Sequence, residues 1–333
     1  MAEDAAPRRP RRWGRSKAAR PGSLPFDDLS FESRLVWILG SPRTGSTWLL
    51  RLLAHPLELA DNAVGFDAPD DFRFDANAVI PLDEPYLPVH ATPLLYIPFE
   101  LGERPSPDEF LQNSVRRGDP SYIFSDEYED SWKPELRRLA LVRFRAQIER
   151  GAGRKGADQV LVAIKEPNGS HGAELLMSLF PSSRMIFLVR DGRDVIDSLV
   201  RANAPGGWQE EQGRKLQLDN EQRRANFVLS QSQRWVIRME AVERAFARHP
   251  PHLRYELHYE ELLAKPQATL RRLVNWLGVE RSREELIAAR ERSSGIGKSG
   301  SAGGWQENLT EREKEIMAKV MDFKLAELGF PPS

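Results

Sequence analysis

The sequence predicts an α/β protein with a central parallel sheet flanked by helices, and three observations predict it. Leu35–Leu39 is a short apolar, β-favouring run that passes through a Gly-bounded turn into a helical apolar pattern at Trp48, Leu49, Leu52 and Leu53. Val160–Ile164 and Arg184–Val189 are further apolar runs of the kind that a sheet buries on both faces, with a helical stretch between them. Strand, helix and strand in that order imply a parallel crossover. The chain has 333 residues, enough for one large domain with insertions.

Taken in order, residues 1–30 form an Arg- and Pro-rich segment read as a solvated, disordered tail, and 31–333 form a single domain. Residues 56–135 lack periodicity but are rich in Pro, Asp and aromatic residues, which suits an insert that shapes an acceptor pocket. Pro134–Arg150 reads as a helix with proline in its first turn, and Gly151–Asp158 as a turn. His171–Phe180 is a helix stopped by Pro181, and a helix from about Val195 to Ala202 follows the Arg184–Val189 strand. Asp219–Arg248 is one long helix. A strand at Arg254–Tyr259 follows, then a helix over Glu261–Leu277 closed by Gly278, and then a Gly/Ser-rich loop over Ser293–Gly304. The last helix starts at Thr310, with Glu313 in capping-box register.

Composition narrows the function. Lys plus Arg (48) balances Asp plus Glu (49), so there is no global basic field to draw nucleic acid, and any anion site is local. The absence of cysteine excludes a disulfide framework, a thiolate nucleophile and a thiolate metal site. No apolar run approaches the roughly 20 residues that span a bilayer, and the N-terminus lacks the apolar core of a signal peptide. The expectation is a cytoplasmic, bacterial protein.

The turn Gly40-Ser41-Pro42-Arg43-Thr44-Gly45-Ser46-Thr47 fits the phosphate-cradling pattern Gly-x4-Gly-Lys-Ser/Thr at both glycines and at Thr47. The fold expected is therefore a P-loop-like three-layer one, with helices on both faces of the sheet. Amides at the helix start are set to hold an anion through their unpaired donors and the positive end of the dipole. Ser46, however, stands where the lysine that reaches a β/γ-phosphate belongs, which weakens the alternative of a P-loop kinase using ATP. The cation sits inside the loop instead, as Arg43.

That arrangement resembles the 5′-phosphosulfate loop of sulfotransferases, whose donor is 3′-phosphoadenosine 5′-phosphosulfate (PAPS). Pro42-Arg43-Thr44-Gly45-Ser46-Thr47-Trp48 carries the resemblance. A second block, MIFLVRDGRDVIDSLV from Met185 to Val200, resembles the strand, Arg-Asp-Gly turn and helix of the same family, with Ser198 eight residues after Arg190. In the family this arginine and serine hold the 3′-phosphate of PAPS. Arg193 and Asp194 read as helix-terminus charges. A third block, the Gly-rich segment from Gly295 to Gly304 before Trp305, resembles the family's nucleotide-closing loop and makes Lys298, Gly303 and Gly304 candidates. Asp83-Glu84-Pro85 and Lys165-Glu166-Pro167 resemble the Glu-Pro of carbohydrate and bacterial sulfotransferases and the Lys-Asp-Pro of tyrosyl-protein sulfotransferases. The resemblance covers Leu35–His55, Val160–Ala202 and Tyr255–Trp305.

The resemblance implies a PAPS-dependent sulfotransferase acting on a hydroxyl of a small molecule, sugar, lipid or peptide. Sulfuryl transfer needs cations at the leaving group and a base at the acceptor hydroxyl, and it requires no metal. Arg43 and Lys165 take the first role, with the Ser46 and Thr47 hydroxyls. Glu84 is the candidate base, with Asp83, Glu166 and Asp61 as rivals. His171 and His55 read as a surface helix-start residue and a helix-end cap. Trp48, Tyr255 and Tyr259 suit either core packing or adenine contact. A non-catalytic nucleotide-binding protein of the same fold is the remaining alternative.

Overall fold

The computed structural model describes residues 24, 26–54, 77–83, 118, 120, 125–207, 218–293 and 302–332. His55, Asp61, Glu84, Lys298, most of the 56–135 segment and most of the N-terminal tail lie outside the described residues.

Five strands form one parallel sheet: β1 (Leu35–Leu39), β2 (Val79–Asp83), β3 (Leu161–Lys165), β4 (Arg184–Val189) and β5 (Arg254–His258), in the order β2-β3-β1-β4-β5. β1 is central because its five residues are apolar and have no polar face to leave in water. Its side chains alternate between two cores. Leu35, Trp37 and Leu39 enter one, with Phe144, Phe180, Phe187 and Trp235; Val36 and Ile38 enter the other, with Leu49, Leu52, Leu257 and Leu273.

The first core is covered by α1 (Asp28–Glu32), α3 (Glu129–Ala157), α4 (Ala173–Leu179), α5 (Gly192–Asn203), α6 (Glu221–Arg248) and α11 (Glu311–Glu327). The second lies under α2 (Ser46–Leu53), α7 (Tyr259–Ala264), α8 (Pro266–Leu277) and α9 (Arg283–Ser293). A short α10 (Trp305–Asn308) precedes α11. Helices on both faces of the sheet make the expected three layers. Among the described residues, no helix is long and apolar enough to cross a membrane.

Several boundaries differ from expectation, each for a physical reason. Val79–Asp83 falls inside the 56–135 segment and is nevertheless a sheet strand; its Pro81 is tolerated because β2 is an edge, where one row of amides needs no partner. The helix expected over Pro134–Arg150 starts at Glu129 and runs to Ala157, so the turn at Gly151–Asp158 is corrected to helix with a break at Gly153 (φ 69°). Buried Arg145 ties down that end by donating to Glu149 Oε1 (2.8 Å), Asp158 Oδ1 (2.6 Å) and the Arg154 carbonyl (3.2 Å). Pro266 divides the expected Glu261–Leu277 helix into α7 and α8, since proline has no amide to continue α7 and is well placed at the start of α8.

α11 starts as expected. Glu313 N–H donates to Thr310 Oγ1 (3.3 Å), Thr310 N–H donates to Glu313 Oε2 (3.0 Å), and the Arg224 guanidinium donates to both carboxylate oxygens (2.9 and 3.1 Å). The capping box thus also fastens α11 to α6. Burial alone would raise the Glu313 carboxyl, but the hydrogen bonds from Arg224 and Thr310 outweigh it and hold it below its ordinary value. A depressed carboxyl stabilises the fold above its unfolded pKa, and that stabilisation is lost as pH falls through the folded value. Glu313→Gln is therefore expected to cost about 2 kcal/mol near neutral pH. The gap to wild type should close on acidification, as read by urea unfolding across a pH series; a gap independent of pH would contradict the assignment.

Candidate functional site

The site forms where β1, β3 and β4 end. Gly40 leaves β1 beside β4, where a Cβ would overlap the Leu188 carbonyl, so glycine is required by close approach. Its amide donates to Ser170 Oγ (3.0 Å), and Ser170 in turn donates to the Glu166 carbonyl (3.1 Å). Thr44 closes the loop on itself by donating from Oγ1 to the Ser41 carbonyl (2.8 Å). Gly45 caps α2 at φ 87°, and a side chain there would collide with the Tyr259 ring. The loop therefore needs glycine at both ends, and α2 presents its amino-terminal amides to the mouth between them.

Arg43 is the one non-glycine among the described residues with a positive φ, 71°. That conformation turns its carbonyl toward Arg190 and its side chain toward α5. Arg190 Nη1 donates to the Arg43 carbonyl (2.7 Å), and Arg43 Nε donates to Ser198 Oγ (3.1 Å). The Arg190 guanidinium lies over the Tyr259 ring, 4.5 Å from its centre, and is almost wholly buried. From the other side, Lys165 Nζ donates to Thr47 Oγ1 (3.0 Å). Residues spread over more than 150 positions of sequence thus form two hydrogen-bonded groups at the loop, Arg190–Arg43–Ser198 and Lys165–Thr47.

The electrostatics suit an anion. Burial, and then the nearby charges of Arg190 and Arg201, lower the pKa of Arg43. A negatively charged ligand relieves both penalties at once. Each hydroxyl accepts a bond from a cation, so its own hydrogen is directed elsewhere and is polarised for donation. Pro42 is half-buried in the loop, and Ser46 is buried at the first position of α2.

Other expected residues are placed as follows. Trp48 meets Tyr259 edge-on at 5.8 Å, while Tyr255 packs on Trp276 at 5.2 Å. Glu166 is fully buried, and its carboxylate accepts the Gly169 amide (3.3 Å). His171 Nδ1 is 3.1 Å from the Asn168 carbonyl, a local contact at the helix start. Asp83 ends β2 directly opposite Lys165 in the strand register.

Arg193 and Asp194 are more than the helix-terminus charges expected. Asp194 accepts the amides of Gly303 (2.8 Å) and Trp305 (3.4 Å), and the Arg193 guanidinium, held by Asp191, lies over Trp305 at 4.4 Å. These contacts fasten the end of the Gly-rich segment to α5. They also commit the Gly303 amide to a carboxylate. Gly304 precedes α10 as its cap. Burial raises Asp194, against the opposing effect of the Gly303 bond, and burial likewise raises Glu260, whose carboxylate accepts the Asp191 amide (2.9 Å). The roles of Ser170, Asp194 and Glu260 escaped sequence reasoning because their partners are amides 69 to 130 residues away.

The family model for the sulfotransferase family matches residues 36–283, most of the chain. The chain belongs to the sulfotransferase family. Among solved structures it is similar to sulfotransferase STF9 from Mycobacterium avium (17% identity, covering 90% of this chain and 78% of that one, TM-score 0.45). It is also similar to the sulfotransferase domain from the curacin biosynthetic pathway (19% identity, 90% and 98% covered, TM-score 0.44). A third is retinol dehydratase in complex with androsterone and the inactive cofactor PAP (15% identity, 90% and 82% covered, TM-score 0.42). No curated protein matches the sequence.

The strain at Arg43 of this sulfotransferase has a measurable consequence. Arg43→Gly removes both the left-handed penalty, on the order of 1 kcal/mol, and a charge repelled by its neighbours, at the cost of side-chain bonds such as the one to Ser198. The variant is expected to unfold at the same urea concentration as wild type or a higher one. A clearly lower midpoint would mean that Arg43 is there for stability.

Proposed function

We propose that the protein transfers a sulfuryl group from PAPS to a hydroxyl of its acceptor. The observation that carries this reading is the link between two anion-reading motifs: Arg43 of the loop bonds Ser198, and Arg190 bonds the Arg43 carbonyl. In this reading the loop takes the 5′-phosphosulfate and the Arg190–Ser198 pair takes the 3′-phosphate, and the Arg43 bonds join the two motifs while Lys165 meets Thr47 of the loop's helix. The residues present fit a doubly anionic nucleotide.

PAPS supplies the sulfuryl group and leaves as the bisphosphate. Arg43, the loop amides, and the Ser46 and Thr47 hydroxyls hold the phosphosulfate end and oppose the charge that builds on the leaving phosphate oxygen. Lys165 reaches the same end from β3. Arg190 and Ser198 hold the 3′-phosphate by a fixed guanidinium and a hydroxyl two helical turns on. Lys298, Gly303 and Gly304 belong to the segment that closes this side, anchored through Asp194. Trp48 and Tyr259 supply aromatic surface beside the loop.

Glu84 accepts the acceptor proton: its carboxylate takes the hydrogen of the acceptor O–H as the O–S bond forms and the bond from sulfur to the phosphate oxygen breaks. Of its rivals, Asp83 stands opposite Lys165 in the strand register. The hydroxyl acceptor is a small molecule, sugar, lipid or peptide.

Calorimetry without added metal tests the donor. Adenosine 3′,5′-bisphosphate is expected to bind at least tenfold more tightly than adenosine 5′-monophosphate or ATP, and Arg190→Ala should abolish that advantage. Equal or tighter ATP binding would overturn the reading. Glu84→Gln should lower kcat by about 10²-fold or more with bisphosphate affinity unchanged; an unaltered kcat would remove Glu84 as the base.

A further inference from the structure

α6 carries arginines that the chain pairs with carboxylates as a rule. Arg224 is held by Glu313, and Arg244 and Arg248 are held by Glu174. Elsewhere Arg137 has Asp28 and Glu32, and Arg145 has Glu149 and Asp158. Arg238 breaks the rule. It is only 7% exposed, its Nε is buried without a hydrogen-bond partner, and among the described residues no carboxylate pairs with it.

The nearest charge makes matters worse. Arg234 lies one turn earlier on the same face, and with buried Gln231 the three positions follow the i, i+3, i+7 spacing of a single stripe. Burial and the Arg234 charge push the Arg238 guanidinium down to about 9. Leaving a cation buried and unpaired costs several kcal/mol, and an apolar side chain of the same length would remove that cost.

The position on α6 relates this stripe to the donor site. Trp235, one turn from Arg238, packs against Gly192, where a side chain would collide with its indole, and Gly192 opens α5 two residues after Arg190. The same helix packs on the Ser170–Gly172 turn, whose Ser170 holds the Gly40 amide.

We propose that Arg238, with Arg234 and Gln231 on the same stripe of α6, forms a second anion-binding site that takes an oxyanion of the acceptor, a carboxylate, sulfate or phosphate. This inference rests on the sulfuryl-transfer reading for the word acceptor, though not for the site. The oxyanion supplies the charge and the hydrogen-bond acceptor that no described residue gives the Arg238 Nε. The acceptors selected are then hydroxyl compounds that already carry a negative group.

The test uses Arg238→Met, which keeps the length and removes the charge. With the donor site filled by saturating adenosine 3′,5′-bisphosphate, inorganic sulfate is titrated into wild type and variant by calorimetry. Sulfate is expected to bind wild type at least tenfold more tightly than R238M. Without sulfate, R238M should melt at least about 3 °C above wild type, because an unpaired buried charge is gone. Equal sulfate affinity would overturn the proposal, as would a lower melting temperature or failure of R238M to fold, since either would make Arg238 a structural group. A second arm replaces sulfate with 4-hydroxybenzoate: binding that is lost in R238M supports an acceptor-borne oxyanion, whereas binding of sulfate alone overturns the acceptor assignment and leaves a free-anion site. Failure of the bisphosphate to bind would overturn the donor reading only, because the difference between wild type and R238M in sulfate affinity is read either way.

Discussion

The hydrogen bond from Arg190 to the Arg43 carbonyl is the interaction on which the site depends. Arg43 occupies a left-handed backbone conformation that a non-glycine residue adopts at a cost on the order of 1 kcal/mol. Arg190 from β4 holds the rotated peptide, Ser198 from α5 holds the side chain, and Tyr259 supports Arg190 from beneath. The loop glycines follow from the same geometry. With Arg43 turned inward, Gly45 passes so close to Tyr259 that no side chain fits, and Gly40 passes equally close to β4.

Charge is distributed accordingly. Arginines that fasten helices to one another meet carboxylates, as Arg224 meets Glu313 and Arg137 meets Glu32. Around the loop cations gather: Arg43 is near Arg190 and near Arg201, itself paired with Asp197, and the pKa of Arg43 falls with its burial and their repulsion. Such a cluster is a poor way to stabilise an empty fold and a good way to receive an anion, because ligand charge offsets desolvation and repulsion together. The carboxylates close to the site serve its backbone. Asp194 receives the Gly303 and Trp305 amides, and Glu260 receives the Asp191 amide.

Much of this was legible in local sequence. The strands Leu35–Leu39 and Arg184–Val189 have the bounds that their apolar runs predict, and the Thr310 box opens α11 as its pattern requires. What escaped was non-local. Val79–Asp83 carries a proline and no alternation, and it becomes a strand only because β3 offers it an edge. The helix past Gly151 persists because Arg145 reaches ahead to Arg154 and Asp158. Arg193 and Asp194 resemble terminal helix charges until a segment more than 100 residues away lands on them.

By itself, the sequence determined the class of the fold and the chemical types at the site, because apolar runs, glycine turns and the spacing of Arg190 to Ser198 are properties of neighbouring residues. Only the tertiary structure decided which cations act together and which carboxylates are committed to backbone amides. Those outcomes depend on which strand ends adjoin, and the order β2-β3-β1-β4-β5 brings Lys165, Arg43 and Arg190 to one edge of three adjacent strands. Hydrogen bonds of about 3 Å and the pairing of buried charge are settled at that range and are invisible along the chain.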